Sequence, residues 1–267
     1  MSHPDLPLLD LLPEFTLIAP GLYKQNDFLI QKFEQEYISL REKEGRVYAD
    51  QVVSELPAFS GAADLEKEWA IRKRSTNRFV HYLLKYKPAC SVLEVGCGNG
   101  WMSNYIATRT SSHVVGTDVN HTELAQAARV FTMPGRLLFI LAEFARIKLP
   151  EQTFDIIVFP SVIQYFSDLR APLLKAMSLL RPDGEVHILD SPFYDQSEVA
   201  GAADRSKKYF DQQGSSMASF YFHHSWKDLT PYHPTVLHDA KRMSFSKLLR
   251  RPDSPFPWLK ISKDRLS

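Results

Sequence analysis

The chain has 267 residues, of which 44% are hydrophobic and 24% are charged, a composition typical of globular proteins that bury their own core. Its 32 basic and 31 acidic residues leave a formal net charge of +1, which argues against a dedicated nucleic-acid binder. Because no basic segment followed by an apolar run opens the chain, and no stretch approaches the ~20 apolar residues of a membrane span, we expect a soluble, cytoplasmic protein without a membrane partner.

The N-terminal third of the chain is predicted to be mainly helical. Residues 1–25 are rich in leucine and proline and are predicted to form an irregular arm. Apolar residues then recur at three- and four-residue spacing, which is typical of amphipathic helices. The expected helices cover residues 27–45, 48–55 and 64–86.

From residue 89 the pattern changes to short β-strands that alternate with helices of about ten residues, which indicates βαβ units and a parallel sheet. The expected strands are 91–95, 113–118, 137–140, 154–159 and 185–190, and the expected helices are 101–110, 121–131 and 168–180. A turn is predicted at 181–184. The remainder is predicted to contain a polar helix at 195–212 and two closing strands at 235–237 and 257–261.

A Gly-x-Gly-x-Gly turn at residues 96–100 connects the first of these strands to its helix. Such a turn lets the backbone approach a ligand closely. Asp118 ends the second strand, where an acidic side chain can accept both hydroxyls of a ribose, and Glu94 adds a second carboxylate. The dinucleotide fingerprint Gly-x-Gly-x-x-Gly would require glycine where the chain has Trp101.

These segments, taken in order, resemble the motifs of class I S-adenosylmethionine (SAM)-dependent methyltransferases. The similar segments are 94–100, 115–118, 142–143, 154–158 and 180–184. The resemblance covers about residues 89–194 and implies an α/β fold with a Rossmann-like, doubly wound, seven-stranded sheet. It implies a helical cap at 1–88, a SAM-binding core at 89–194, and a cap insertion with closing strands of the same sheet at 195–267. The strand at 257–261 is expected to be the antiparallel one.

The resemblance also implies SAM as the cofactor and a set of residues that hold it. The glycines would pass under its methionine part and ribose, Asp118 would bind the ribose hydroxyls, and Phe159 would lie near the transferable methyl group. Val119 and Glu143 would lie beside adenine, although the family more often has aspartate at the position of Glu143. The complete expected set is Glu94, Gly96, Cys97, Gly98, Gly100, Asp118, Val119, Ala142, Glu143, Phe159 and Arg72.

Two members of this set have competing interpretations. Arg72 lies on an otherwise apolar helix face, where a buried guanidinium needs an anionic partner. That partner is either the carboxylate of SAM or a carboxylate of the protein. Cys97 is expected to be a small buried residue of the turn and not a nucleophile. Because neither the cysteines nor the histidines show a ligand spacing, no metal site is expected.

The acceptor site is expected near the end of the fourth strand and the aromatic cluster at 220–226. The expected substrate-binding residues are Trp69, Gln164, Tyr165, Tyr194 and Phe222. Histidine titrates near neutrality, so His223 and His224, together with Tyr165, are the candidates for a catalytic role. A packing or capping role is the structural alternative for these residues.

Methyl transfer from a sulfonium is an in-line displacement that depends mainly on alignment. We therefore expect a methyltransferase, monomeric or homodimeric, that acts on an oxygen, nitrogen or carbon of a small molecule. The segment 159–162 lacks the tetrad of amino-directed nucleobase methyltransferases, which disfavours a nucleic-acid acceptor. Three alternatives stay open: a protein or tRNA acceptor, a nucleotide-dependent oxidoreductase on the same sheet, and a non-catalytic protein of this fold that acts through a partner.

Overall fold

Alternating apolar strands and helices along residues 91–189 form the parallel centre of one β-sheet. The computed structural model describes residues 13–29, 32–131, 133–239 and 253–266. The strands are β1 (Phe15–Ala19), β2 (Leu22–Gln25), β3 (Ser91–Val95), β4 (His113–Asp118), β5 (Leu137–Leu141), β6 (Phe154–Pro160), β7 (Leu180–Leu189), β8 (Thr235–His238) and β9 (Trp258–Ser262). The helices are α1 (Lys32–Lys43), α2 (Asp50–Glu55), α3 (Ala63–Tyr86), α4 (Trp101–Arg109), α5 (His121–Val130), α6 (Arg170–Leu179), α7 (Val199–Gln212) and α8 (Trp226–Leu229).

The strand order of the sheet is β1-β2-β5-β4-β3-β6-β7-β9-β8. Strands β2 to β7 pair in parallel within this order, whereas β1 is antiparallel to β2, and β9 is antiparallel to both of its neighbours. The direction of winding reverses between β3 and β6. In open α/β sheets, ligands bind outside the carboxyl ends of the strands at such a switch point.

The predicted α/β core is confirmed, including the antiparallel closing strand, which is β9. Within the described residues, however, the sheet has nine strands and not seven. Residues 15–25, predicted to be an irregular arm, form the β1–β2 hairpin, and β2 pairs in parallel with β5. The hairpin adds to the sheet because Phe15 and Leu22 are buried against it, while Gly21 supplies the positive φ of 73° at the turn.

Two further boundaries differ from the prediction. Helix α1 begins at Lys32 and not near residue 27. The predicted turn at 181–184 falls inside β7. Because Phe154 pairs with Leu180 while Ile156 pairs with Glu185, the intervening residues bulge out of the ladder.

The sheet is covered on both faces, because successive side chains of a strand point to opposite sides. Val92 and Val114 belong to a buried cluster with residues of α3, α4 and α5. Leu93 and Val115 belong to a second cluster with residues of α6. In the part of the chain that the structure describes, no helix is both long enough and apolar enough to cross a membrane.

Candidate functional site

A cavity of about 540 Å³ lies at the switch point of the sheet. Its walls include the glycine turn after β3 and the segments that follow β4, β5 and β6. Side chains of α1 and α3 complete it from the N-terminal part of the chain. A volume of this size lies within the range of small-molecule and cofactor sites.

The glycine turn brings bare backbone to the cavity. Gly96, Gly98 and Gly100 all have positive φ, at 74°, 52° and 73°. Gly96 and Gly98 line the cavity, and a Cβ at Gly96 would lie 2.3 Å from Cγ2 of Val162. Gly100 lies outside the cavity lining and precedes α4, where a Cβ would lie 2.7 Å from the ring of Phe139. The first two glycines therefore shape the cavity, while the third allows close packing of α4 on the sheet.

Asp118, at the end of β4, holds this turn through its carboxylate. Its Oδ2 accepts a hydrogen bond from the backbone N–H of Gly98 at 2.8 Å, and its Oδ1 accepts one from the N–H of Asn120 at 2.9 Å. A carboxylate has about four lone-pair directions, so it can accept further donors. Burial raises the pKa of Asp118, and these backbone hydrogen bonds oppose that rise.

Two further carboxyl groups lie beside Asp118. Glu94 is buried and accepts a hydrogen bond from Ser103 Oγ. Burial, with a smaller contribution from the charge of Asp118, raises the pKa of Glu94 to about 8 and that of Glu123 to about 8. Ionising these carboxyl groups at the same time is unfavourable, because their negative charges repel one another. This side of the cavity therefore favours a ligand that brings positive charge.

Arginines of the N-terminal region occupy another part of the cavity wall. Arg41 pairs with Glu44 at 2.6 Å, and Arg46 bridges Glu44 at 3.1 Å and Glu68 at 2.6 Å. Arg72 also pairs with Glu68, at 3.0 Å between Nη2 and Oε1. Three guanidinium groups thus share two carboxylates, which leaves a surplus of positive charge. Arg72 therefore has a carboxylate of the protein as its partner, which is one of the two expected interpretations. It also lines the cavity, as the other interpretation, a contact with the carboxylate of SAM, requires.

Aromatic side chains from α1, from the segment after β6 and from the short helical turn at 216–220 line the cavity beside these arginines. The Phe33 ring lies 5.5 Å from that of Tyr165 and 5.7 Å from that of Phe220, both edge-on. The guanidinium of Arg41 lies 4.7 Å from the centroid of Tyr37 and donates to Tyr165 Oη at 3.1 Å. We name Phe33, Tyr37, Tyr165 and Phe220 the aromatic wall. It provides a partly apolar surface that is held in place by a cation.

Most of the expected cofactor residues come together around the cavity. Those that line it are Glu94, Gly96, Cys97, Gly98, Asp118, Val119, Ala142, Glu143 and Arg72. Phe159 does not line it, because the alternation along β6 turns its side chain into the second core cluster, where it contacts Phe144 and Phe166. Pro160 and Ser161 lie at the cavity edge instead.

The expected acceptor and catalytic residues divide in the same way. Trp69, Gln164 and Tyr165 line the cavity, whereas Tyr194, Phe222, His223 and His224 lie outside its lining.

The two histidines are engaged by protein groups elsewhere. His223 Nε2 lies 2.8 Å from Ser206 Oγ, and His224 is buried with Nε2 3.2 Å from the carbonyl oxygen of Ile163. Burial lowers the pKa of both imidazoles. Their contacts match a packing and capping role.

Several cavity residues were absent from the expected set. They are Phe33, Tyr37, Arg41, Thr76, Ser161, Asp190 and Phe220. Asp190 directly follows β7. An acidic residue at the carboxyl end of a parallel strand is the same signal that indicated Asp118, and it could have indicated Asp190 as well. Among the residues that the structure describes, no group of three or more His, Cys, Asp or Glu is arranged to hold a metal ion.

Comparison with known proteins identifies the class of this fold and site. Residues 92–184 match the family model described as a methyltransferase domain. The resemblance to methyltransferases that the motifs predicted is thus confirmed for this central region, which matches a methyltransferase domain.

Two curated relatives illustrate the sequence similarity. Phosphoethanolamine N-methyltransferase of Triticum aestivum is 29% identical over 181 residues, which is 66% of this chain and 34% of the relative. Sterol 24-C-methyltransferase of Gibberella zeae is 27% identical over 117 residues, which is 42% of this chain and 31% of the relative. The chain therefore spans about a third of the length of these relatives.

Solved structures share the fold over most of the chain. Geranyl diphosphate C-methyltransferase of Streptomyces coelicolor A3(2) superimposes with a TM-score of 0.54 at 11% identity, covering 88% of this chain and 98% of that one. Magnesium protoporphyrin IX methyltransferase of Synechocystis PCC 6803 gives 0.53 at 13% identity, covering 85% and 93%. Both of these proteins were crystallised with S-adenosylhomocysteine.

Proposed function

We propose that this protein is a SAM-dependent methyltransferase that transfers a methyl group to a small-molecule acceptor by in-line displacement. The observation that carries the proposal is the cradle at the switch point. There, Gly96 and Gly98 present bare backbone to the cavity while Asp118 holds the turn and keeps lone-pair directions for further donors. The match of residues 92–184 to a methyltransferase domain supports the same function.

The residues around the cradle fit each part of the cofactor. Asp118 would accept the ribose hydroxyls, and Val119, Ala142 and Glu143 would surround the adenine. The carboxyl groups beside the turn favour a cationic sulfonium. The surplus positive charge that includes Arg72 would attract the carboxylate of the methionine part.

When bound, SAM supplies an activated methyl group on a sulfonium centre. The task left to the protein is to hold the acceptor in line with that group, and good orientation can contribute ~7–11 kcal/mol. The aromatic wall would hold the body of the acceptor and exclude water, with Trp69, Gln164 and Tyr165 in contact with it. Among the candidates for a catalytic role, we retain Tyr165, because it lines the cavity whereas His223 and His224 do not.

Isothermal titration with S-adenosylhomocysteine tests the proposal, with NADH and NADPH as controls. Binding of S-adenosylhomocysteine alone supports a methyltransferase and justifies an acceptor screen with labelled SAM. Binding of a nicotinamide cofactor alone would indicate the oxidoreductase alternative. A folded protein that binds none of the three would contradict the proposal.

A further inference from the structure

A chain of hydrogen bonds links the carboxyl ends of β6 and β7 beside the cofactor cradle. Gln164 Nε2 donates to the carbonyl oxygen of Ser161 at 2.6 Å, and Ser161 Oγ donates to the carbonyl oxygen of Asp190 at 3.2 Å. Ser75 of α3 donates to Asp190 Oδ1 at 2.8 Å. The backbone φ is 51° at Ser161 and 50° at Asp190. Left-handed residues other than glycine carry strain and cluster at functional sites.

The amide oxygen of Gln164 is the unusual atom in this chain. The side chain lines the cavity and is 9% exposed, yet Oε1 is buried without a hydrogen-bond partner among the described residues. The orientation of the amide is fixed, because the carbonyl oxygen of Ser161 can only accept and so requires Nε2. A buried acceptor without a donor is unfavourable, so a shift of this side chain that brings Oε1 to a ligand's donor would be favoured.

The position of the chain relative to the cradle indicates which ligand this is. Val162 packs directly on Gly96, so the segment 161–164 adjoins the turn that we assign to the cofactor. Asp190 also lines the cavity, and its Oδ2 has no hydrogen bond within the described ranges. Two hydrogen-bond acceptors, one of them a carboxylate, therefore lie beside the proposed methyl donor.

We propose that Gln164 and Asp190 bind the methyl acceptor through a hydrogen-bond donor, so that the methylated atom is a nitrogen or oxygen that carries hydrogen. This inference rests on the proposed function and excludes a carbon nucleophile. The nitrogen or oxygen forms the new bond to the methyl carbon, and the carbon–sulfur bond breaks with its electron pair passing to sulfur. The hydrogen leaves as a proton to the Asp190 carboxylate.

Three matched probes test the inference on protein saturated with S-adenosylhomocysteine. Aniline, benzyl alcohol and toluene share one ring, are uncharged near neutral pH and differ in the donor, and the ring suits the aromatic wall. We expect at least one donor probe to bind at least about tenfold more tightly than toluene. The comparison of the amine with the alcohol distinguishes a nitrogen from an oxygen acceptor.

Substitutions test whether this chain of hydrogen bonds causes the preference for the donor probes over toluene. Gln164→Leu removes the free oxygen at similar size and should abolish the preference for donor probes. Gln25→Leu is the matched control, because Gln25 is a buried glutamine whose amide is fully bonded outside the cavity, and it should leave the preference intact.

Equal binding of the three probes, no binding of the donor probes, or a preference that survives Gln164→Leu would overturn the inference. Binding of S-adenosylhomocysteine is measured first on every variant. If it fails in the parent protein, then the proposed function fails. If it succeeds while the probe results are negative, only the inference about the acceptor fails.

Discussion

Asp118→Ala should remove most of the affinity for S-adenosylhomocysteine. The Asp118 carboxylate already accepts the N–H groups of Gly98 and Asn120, at 2.8 and 2.9 Å, and we assign its remaining lone pairs to the ribose. The variant therefore loses the ribose contacts together with the groups that hold the turn in place.

The magnitude follows from the number of hydrogen bonds. Hydrogen bonds to charged groups contribute roughly 1.5–3 kcal/mol each, so two ribose contacts amount to at least about 3 kcal/mol. Since every 1.4 kcal/mol is about tenfold, the dissociation constant should rise by at least about 100-fold. Asp118→Asn keeps one acceptor oxygen and should give an intermediate loss of about tenfold.

Isothermal titration of each variant measures the loss, and circular dichroism reports whether the protein is folded. Asp155→Ala is the matched control. Asp155 Oδ2 accepts the backbone N–H of Ser91 at 2.8 Å and pairs with Arg181, but it lies outside the cavity lining. This variant should lower stability and leave the affinity unchanged. An affinity that falls less than tenfold in folded Asp118→Ala, or equally in Asp155→Ala, would refute the ribose assignment.

Four other substitutions separate effects on stability from effects on binding. Because the pKa of Glu94 is raised to about 8, the unfolded chain loses this proton first, and the free energy of unfolding should fall as pH rises from about 4.5 to about 8. Glu94→Gln should flatten that fall by up to about 5 kcal/mol in urea titrations, and an unchanged pH profile would contradict it. Phe159→Ala should cost about 3–5 kcal/mol of stability at unchanged S-adenosylhomocysteine affinity, so a selective loss of affinity would return Phe159 to the site. Gly135→Ala, at φ 75° in open space, should cost ~1–2 kcal/mol of stability. Gly96→Ala also places its methyl group against Val162, so it should cost more stability and abolish S-adenosylhomocysteine binding. Equal shifts of the melting temperature in the two variants would argue against the contact with Val162.

The centre of the fold was predictable because parallel strands buried on both faces are continuously apolar. Residues 137–141 illustrate this, since the whole strand is buried. The β1–β2 hairpin gave no such signal. In β1, Leu17 and Ile18 are exposed and only Phe15 is buried, so the pattern does not distinguish an edge strand from an irregular arm.

The candidate site was predictable where its signal is local. The glycine turn and Asp118 lie at the ends of neighbouring strands, and parallel topology alone brings them together. The aromatic wall depends instead on how α1 packs over the sheet, which no local pattern in residues 32–43 specifies. The positions of His223 and His224 outside the cavity lining were also not predictable. Their neighbours in the sequence do not determine which surface these side chains face. The position of Phe159, in contrast, was predictable, because the alternation of side chains along β6 places it in the core.

The segment after β4 connects the cradle to the aromatic wall. Asp118 holds the glycine turn, and a few residues later the N–H and hydroxyl of Thr122 both donate to Glu34 Oε1, at 3.0 and 3.2 Å. Glu34 is buried in α1, the helix that carries Phe33 and Tyr37 to the cavity. A cofactor bound to Asp118 would therefore order the same segment that anchors the wall. Cofactor binding and the shape of the acceptor side are thus expected to be thermodynamically coupled.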